Sequence, residues 1–434
     1  MRTAPAGGSN SPAPARPDIA PSRLLPWTIL ALLVVLIASK AIDLAEPASG
    51  RGASFIDFDA FRVAGHLVWR GAIEQAYRFE TLLAFQRTFG EPNAFLPWTY
   101  PPVFNLVVAP FALLPRGLAY ALFTGSTLVA YLLILRRLAG PHLGPLLALV
   151  FPALAVTVAC GQNGFLTGSL VGAACLSLMR RDPRAGIPLG LMAIKPHLAV
   201  GFALQAVMIR DWRTALIAAS VATTFAALAT LLLGPGVWGA FREGVAEAGV
   251  FLERGLYPLY RMISAYAVVR SLGAPAAVAL AVQAGIAILA LGLIGLAIRR
   301  RMPFHQVVGL TTLATLLVSP YAYDYDLPIL GVGLALLGPD LLTRATHRTR
   351  LALFALVWIA SGWGLAMTGL LHHRYGETDI PLGVTAPSLG GLALVAAIGL
   401  IWRILSRQPL RAPASDPAGR SSEARGLAPI RPVP

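Results

Sequence analysis

The feature that most constrains this chain is a succession of apolar runs near the length a helix needs to cross a bilayer. Runs at about 25–42, 117–135, 143–159, 164–179, 213–233, 275–298, 304–318, 327–343, 351–369 and 383–405 approach the roughly 20 residues that span a hydrocarbon core. Two further apolar segments, 100–115 and 185–209, do not fit as single spans. Each reads as a re-entrant hairpin or a pair of short tilted helices. The expectation is an all-α polytopic membrane protein with about 10–13 transmembrane helices.

Composition agrees. The 434 residues are 56% hydrophobic and only 13% charged, against roughly 25% charged in soluble domains. A net charge of +15 would suit nucleic acid, but the basic residues sit in short clusters between apolar runs. Such clusters follow the positive-inside rule. They are Arg136-Arg137, Arg180-Arg181 with Arg184, Arg210 with Arg213, Arg299-Arg300-Arg301, Arg344 with Arg348 and Arg350, and Arg403 with Arg407. With Arg2, Arg16 and Arg23 ahead of the first run, they place both termini in the cytoplasm. The two cysteines, Cys160 and Cys175, lie in or beside apolar runs, so neither a disulfide framework nor a zinc site is expected.

Three regions follow. Residues 1–22 and 407–434, rich in Pro and Ala, read as disordered cytoplasmic ends. Residues 23–406 form the multi-pass body, with 43–99 as its first outer loop. The first apolar run lacks a small-residue cleavage site and reads as a retained helix. The remaining polar interruptions fall on the same outer face: Gly161-Gln162-Asn163, 235–262, Ser319 to Asp326, and His372 to Asp379.

The first outer loop carries Asp57 and Asp59. Asp57, Phe61, Ala64 and Val68 recur at helical spacing, which suits an amphipathic helix on the membrane surface. A structural role is open to both acids, Asp57 as an N-cap and Asp59 as a first-turn acid favoured by the helix dipole. Tyr100-Pro101-Pro102 opens an apolar segment, and Tyr323-Asp324-Tyr325-Asp326 opens another between Pro320 and Pro328. Lys195 stands in an apolar stretch followed by Pro196 and His197. A cation there either snorkels to the interface or faces a cavity as an anion-binding point. The segment 254–262 adds Arg254, Tyr257 and Arg261, residues also typical of an interfacial belt.

Together these residues resemble glycosyltransferase family 87, bacterial polytopic enzymes of the GT-C class that include mannosyltransferases using polyprenyl-phosphate mannose. The resemblance rests on Asp57 with Phe61, Ala64, Gly71 and Tyr77; on Tyr100-Pro101-Pro102, Pro110 and Leu114-Pro115; on Gly161-Gln162-Asn163-Gly164; on Gly190-Leu191 leading to Lys195-Pro196; and on Ser319-Pro320 leading to Asp324 and Asp326. It covers about 50–340. The chain departs from the family at Phe61, where Tyr is usual.

The resemblance implies a GT-C-like bundle with an outward-facing site in a bacterial plasma membrane. It implies a polyprenyl-phosphate-linked sugar donor, a glycolipid or glycan acceptor, and Asp57 as catalytic base, with Asp59 as the alternative. Lys195, His197 and Arg261 are then the candidates for the donor phosphate. Tyr100, Gln162, Asn163, Asp324 and Asp326 are those for the sugar or acceptor. A single base acting in one displacement predicts inversion. No Gly-rich phosphate loop accompanies these motifs, which argues against a nucleotide-sugar donor. No cofactor is demanded, although Asp57, Asp59, Asp324 and Asp326 offer oxygen ligands to a divalent metal. The rival reading is a transporter or flippase of lipid-linked sugars, which would place charged residues along a path through the bilayer or show an internal repeat. Lys195 is the one such residue, and no clear repeat is present. A non-catalytic assembly subunit would not need acids and cations converging on one face.

Overall fold

A computed structural model describes residues 24–45, 56–87, 95–376, 383–384 and 386–407. Most of them are helical, and no strand forms among them. The expectations for 1–22 and for the tail beyond Arg407 lie outside the described residues.

Helix α1 is Leu24–Ala45, and the surface segment that follows holds α2 (Asp57–Trp69) and α3 (Phe79–Arg87). The short α4 (Pro102–Val108) precedes α5 (Arg116–Ala139), α6 (Leu143–Cys160) and α7 (Gly164–Met179). Next come α8 (Gly186–Leu191), α9 (Val200–Met208), α10 (Trp212–Leu233) and α11 (Gly236–Glu253). The chain continues through α12 (Ala265–Ser271), α13 (Ala276–Arg299), α14 (Phe304–Thr315), α15 (Pro328–Arg344), α16 (His347–Tyr375) and α17 (Leu389–Leu405).

Burial separates these helices by their surroundings. Among the long apolar helices, α10 buries only 6% of its apolar window and α1 only 17%, so their leucines and valines face outward, as lipid contact requires. By contrast α14 and the first half of α15 are buried on every side, the pattern of a helix inside a bundle. Pro152 interrupts α6 and cannot donate a backbone N–H to the Ala148 carbonyl four residues earlier. Trp358 of α16 donates its indole N–H to that carbonyl at 3.1 Å.

The segment 185–209 resolves into a hairpin. Gly186 packs on Thr214 and Gly190 on Ala218 and Val221, so α8 climbs alongside α10. After the turn, Leu198 meets Thr315 and Gly201 meets Thr311, so α9 descends against α14. Lys195, at φ −152° and ψ 68°, sits at the apex. The hairpin leaves from the Arg180-Arg181 cluster and returns to Arg210. The segment 100–115 is α4 followed by a 3-10 turn over Ala109–Leu113, and the first outer loop meets it at both ends, Tyr77 at the Tyr100 carbonyl and Asp59 at Arg116 just beyond.

Two expected loops are corrected. The 235–262 interruption contains the 18-residue α11. Val237, Ala240, Gly244, Ala248 and Leu252 give it one buried stripe, while Glu247 accepts the Phe79 N–H at the start of α3. The interruption beginning at His372 is helical as far as Tyr375; Asp379 lies outside the described residues. Helix α16 thus has 29 residues, about 43 Å at 1.5 Å per residue, which exceeds a 30 Å hydrocarbon core.

Candidate active site

Six segments far apart in sequence, together with α11, converge among the described residues on one cavity of about 410 Å³. They are the start of α2, the strap 95–101, the α6–α7 turn, the hairpin apex, and the segments around Tyr257–Arg261 and Ser319–Tyr325. Close backbone approach makes this possible. Gly161 ends α6 with a left-handed φ of 64°. A Cβ on Gly164 would overlap the Tyr325 carbonyl oxygen, and one on Gly364 would overlap the Asp324 carboxylate.

Asp57 is the first helical residue of α2 and lines the cavity. It does not cap its helix. Asp59 does, its Oδ2 accepting the Ile56 N–H at 2.9 Å. Asp59 also takes two hydrogen bonds from Arg116, at 2.7 Å from Nε and 2.6 Å from Nη2. It is buried and outside the cavity lining.

Arg261 lines the cavity beside Asp57. Its Nη2 lies 3.6 Å from Asp57 Oδ2 and 3.3 Å from Asp324 Oδ1, and it donates to Cys160 Sγ at 2.8 Å. Burial pushes the Asp57 carboxyl above its ordinary value, against the pull of Arg261 and a hydrogen bond from Gln162. Burial raises Asp324 as well, again opposed by Arg261. Lys195 also lines the cavity and is ion-paired with the buried Asp326. Its ammonium stands 4.9 Å from the centre of the Tyr325 ring. Lys195 is therefore not a snorkelling residue: it is 7% exposed and its charge is matched inside the protein.

Tyr100 and Gln162 line the cavity together, with the Tyr100 hydroxyl donating to Gln162 Oε1 at 2.8 Å. Tyr77 donates to the Tyr100 carbonyl, Asn105 donates to the Tyr77 hydroxyl, and Trp98 donates to Asn105. This chain of hydrogen bonds fixes the strap. His197 lines the cavity next to the lysine.

Three residues expected to face sugar or acceptor do not line the cavity. Asn163 is fully buried, Asp324 lies behind Arg261, and Asp326 lies behind Lys195. Nor do Asp57, Asp59, Asp324 and Asp326 gather round one metal position. Asp59 and Asp326 are each committed to a different cation, while Asp57 and Asp324 share Arg261. No group of three or more metal-ligating side chains occurs among the described residues.

Other participants escaped sequence reasoning. Arg116 is 57 residues from Asp59 and reads in sequence as a helix start. The aromatic wall is partly local: Tyr321, Tyr323 and Tyr325 alternate along the chain, with ring centres 5.3 and 5.2 Å apart. Tyr257 closes on Tyr321 at 4.9 Å. Their spacing of two is visible in the sequence, although the backbone passes from extended at Tyr323 into a 3-10 turn over Asp324–Asp326. An apolar wall comes from Phe241, Val245, Ala248 and Leu252 of α11.

Among the described residues the cavity combines one carboxylate, two cations, hydroxyls and aromatic rings, inside a helical body with several helices long and apolar enough to cross a membrane. That combination suits group transfer to or from a sugar at a membrane face. The model of glycosyltransferase family 87 matches residues 98–320, half of the chain, and the chain belongs to that family. It is a membrane glycosyltransferase. No curated protein and no solved structure matches it.

Proposed function

We propose that the protein moves a hexose, mannose-like, from a polyprenyl-phosphate donor to a hydroxyl of a glycolipid or glycan acceptor, with inversion at the anomeric carbon. The observation that carries this reading is that Asp57 is, among the described residues, the one carboxylate lining the cavity, while the nearby acids are committed to cations. Asp57 takes the acceptor proton as the acceptor oxygen attacks the anomeric carbon. The bond from that carbon to the phosphate oxygen breaks, and polyprenyl phosphate leaves with the added negative charge. A raised pKa makes Asp57 a better proton acceptor than an exposed aspartate. Arg261 and Lys195 stand where the leaving phosphate gains charge, and a lining made largely of aromatic and aliphatic side chains strengthens that interaction. Each retains N–H groups beyond those its carboxylate partners use. The aromatic wall of Tyr257, Tyr321, Tyr323 and Tyr325 suits the C–H face of a sugar ring, whose hydrogens meet the negative face of an aromatic ring. The α11 wall suits the first prenyl units.

The Arg clusters support a bacterial plasma-membrane orientation with the cavity outside and both termini in the cytoplasm. Asp57 on a cavity wall favours this reading over a flippase, since a transported lipid-linked sugar needs no base. Thin-layer analysis of lipid-linked sugars and glycolipids in a deletion strain tests the choice. A transferase predicts accumulation of unglycosylated acceptor and its conversion when purified protein and polyprenyl-phosphate sugar are added to extracted lipids. Conversion by extracts without the protein would overturn the reading.

A further inference from the structure

The outward side of α2, away from the cavity, carries Arg62, His66 and Arg70 at four-residue intervals. Arg62 and Arg70, two helical turns apart, put two positive charges on this side of α2, with the His66 ring between them. The three act on one another: burial, then Arg62 and Arg70, hold His66 below its ordinary value. Asp59 is the carboxylate acting on Arg62, and Arg116 already occupies both its oxygens. The Arg62 Nε is buried without a hydrogen-bond partner among the described residues. Arg70 is held in place, its guanidinium 4.9 Å above the Phe85 ring.

The surroundings indicate what kind of anion fits. Trp69, 58% exposed, has its indole N–H fixed on the Ala109 carbonyl at 2.8 Å, which turns the ring outward as an interfacial anchor. Immediately beyond, Leu113, Leu118 and Leu122 are exposed on the 3-10 turn and α5, an apolar face for acyl chains. Basic groups thus stand at the rim of a lipid-facing surface. We propose that Arg62, His66 and Arg70, with Trp69 at their side, bind the phosphodiester headgroup of an anionic phospholipid whose chains lie along α5. The site is separate from the cavity and does not depend on the sugar-transfer reading.

Native mass spectrometry of the purified full-length protein tests this, with phosphatidylglycerol and phosphatidylcholine offered together in detergent micelles. Wild type should retain phosphatidylglycerol over phosphatidylcholine by on the order of tenfold. The preference should vanish in R62Q/R70Q and persist in R62K/R70K. R70Q alone, at an exposed position, should lower it part-way and serves if the double variant fails to fold. An unchanged preference in folded R62Q/R70Q, or in R70Q, would overturn the proposal. Displacement of the lipid by a few millimolar inorganic phosphate would also overturn it, by making the site one for a soluble anion.

Discussion

The segments Asp57-Phe58-Asp59 and Asp324-Tyr325-Asp326 are built alike and used differently. In each, the second acid reaches back three residues to a backbone N–H, of Ile56 in one case and Tyr323 in the other. In each, that same acid pairs with a cation from a different part of the fold, Arg116 or Lys195. The first acids of both segments meet on Arg261. The difference lies in access. The Asp57 side chain keeps 16% exposure and faces the cavity, while that of Asp324 keeps 2% and is sealed behind Arg261 and Gly364. The two segments also exchange cations for different ends. Arg116 anchors α2 from outside the cavity, whereas Lys195 is held by Asp326 so that its ammonium lines it. A helix-start motif of two acids thus yields one structural residue reliably, and the packing around the other decides whether it meets substrate.

Substituting the first acids should separate the segments most sharply. Asp57→Asn keeps shape and polarity but removes the proton acceptor, so transfer should fall by on the order of 10²–10⁴ with folding preserved. Asp324→Asn should cost much less, acting only through Arg261. Asp59→Asn should keep most turnover while lowering stability by roughly 1–3 kcal/mol through weakened bonds to Arg116 and Ile56. Full activity in well-folded Asp57→Asn would end the assignment of the base, and a larger loss in Asp59→Asn would move it two residues along the helix.

The cations provide the next contrast. Lys195→Ala strands a buried carboxylate, a loss of about 3–5 kcal/mol in stability, and should also abolish donor use. Adding Asp326→Asn should restore most of the thermal stability without restoring transfer. If the double variant regains transfer to within about threefold of wild type, the lysine serves the fold alone. The smallest effect concerns pH. A base must be ionised, so activity should fall on acidification through a pKa above the ordinary aspartate value of 3.8. Arg261 favours the ionised form, so Arg261→Gln should shift the acidic limb of the kcat/KM profile to higher pH. A shift to lower pH, or none, would deny that the arginine acts on Asp57.

Much of the fold was legible in the sequence because apolar runs bounded by Arg clusters carry their own start and stop signals. The broken segments were legible too, since Lys195-Pro196 and Pro101-Pro102 interrupt otherwise apolar stretches. What was not legible was partnership. Asp326 and Asp324 look as available as Asp57 in a linear reading, and only the hairpin apex and the 3-10 turn at Arg261 show that they back cations. Arg116 meets Asp59 across 57 residues, with no local pattern to announce it. Helix α11 was hidden inside a polar interval because its buried stripe is made largely of alanine and glycine, which barely raises the local hydropathy.

The glycines beneath the site constrain its evolutionary freedom. Gly164 and Gly364 are pressed against the Tyr325 carbonyl and the Asp324 carboxylate, so a side chain at Gly364 would displace the acid that pairs with Arg261, and one at Gly164 would push on the backbone between that acid and the partner of Lys195. Drift is closed to the floor that bears the charges. On the α11 wall, Phe241, Val245 and Leu252 meet the cavity through side chains and can be exchanged without moving a backbone. Variation in what the protein accepts should therefore accumulate on that wall, leaving the charged floor as a fixed inheritance beneath it.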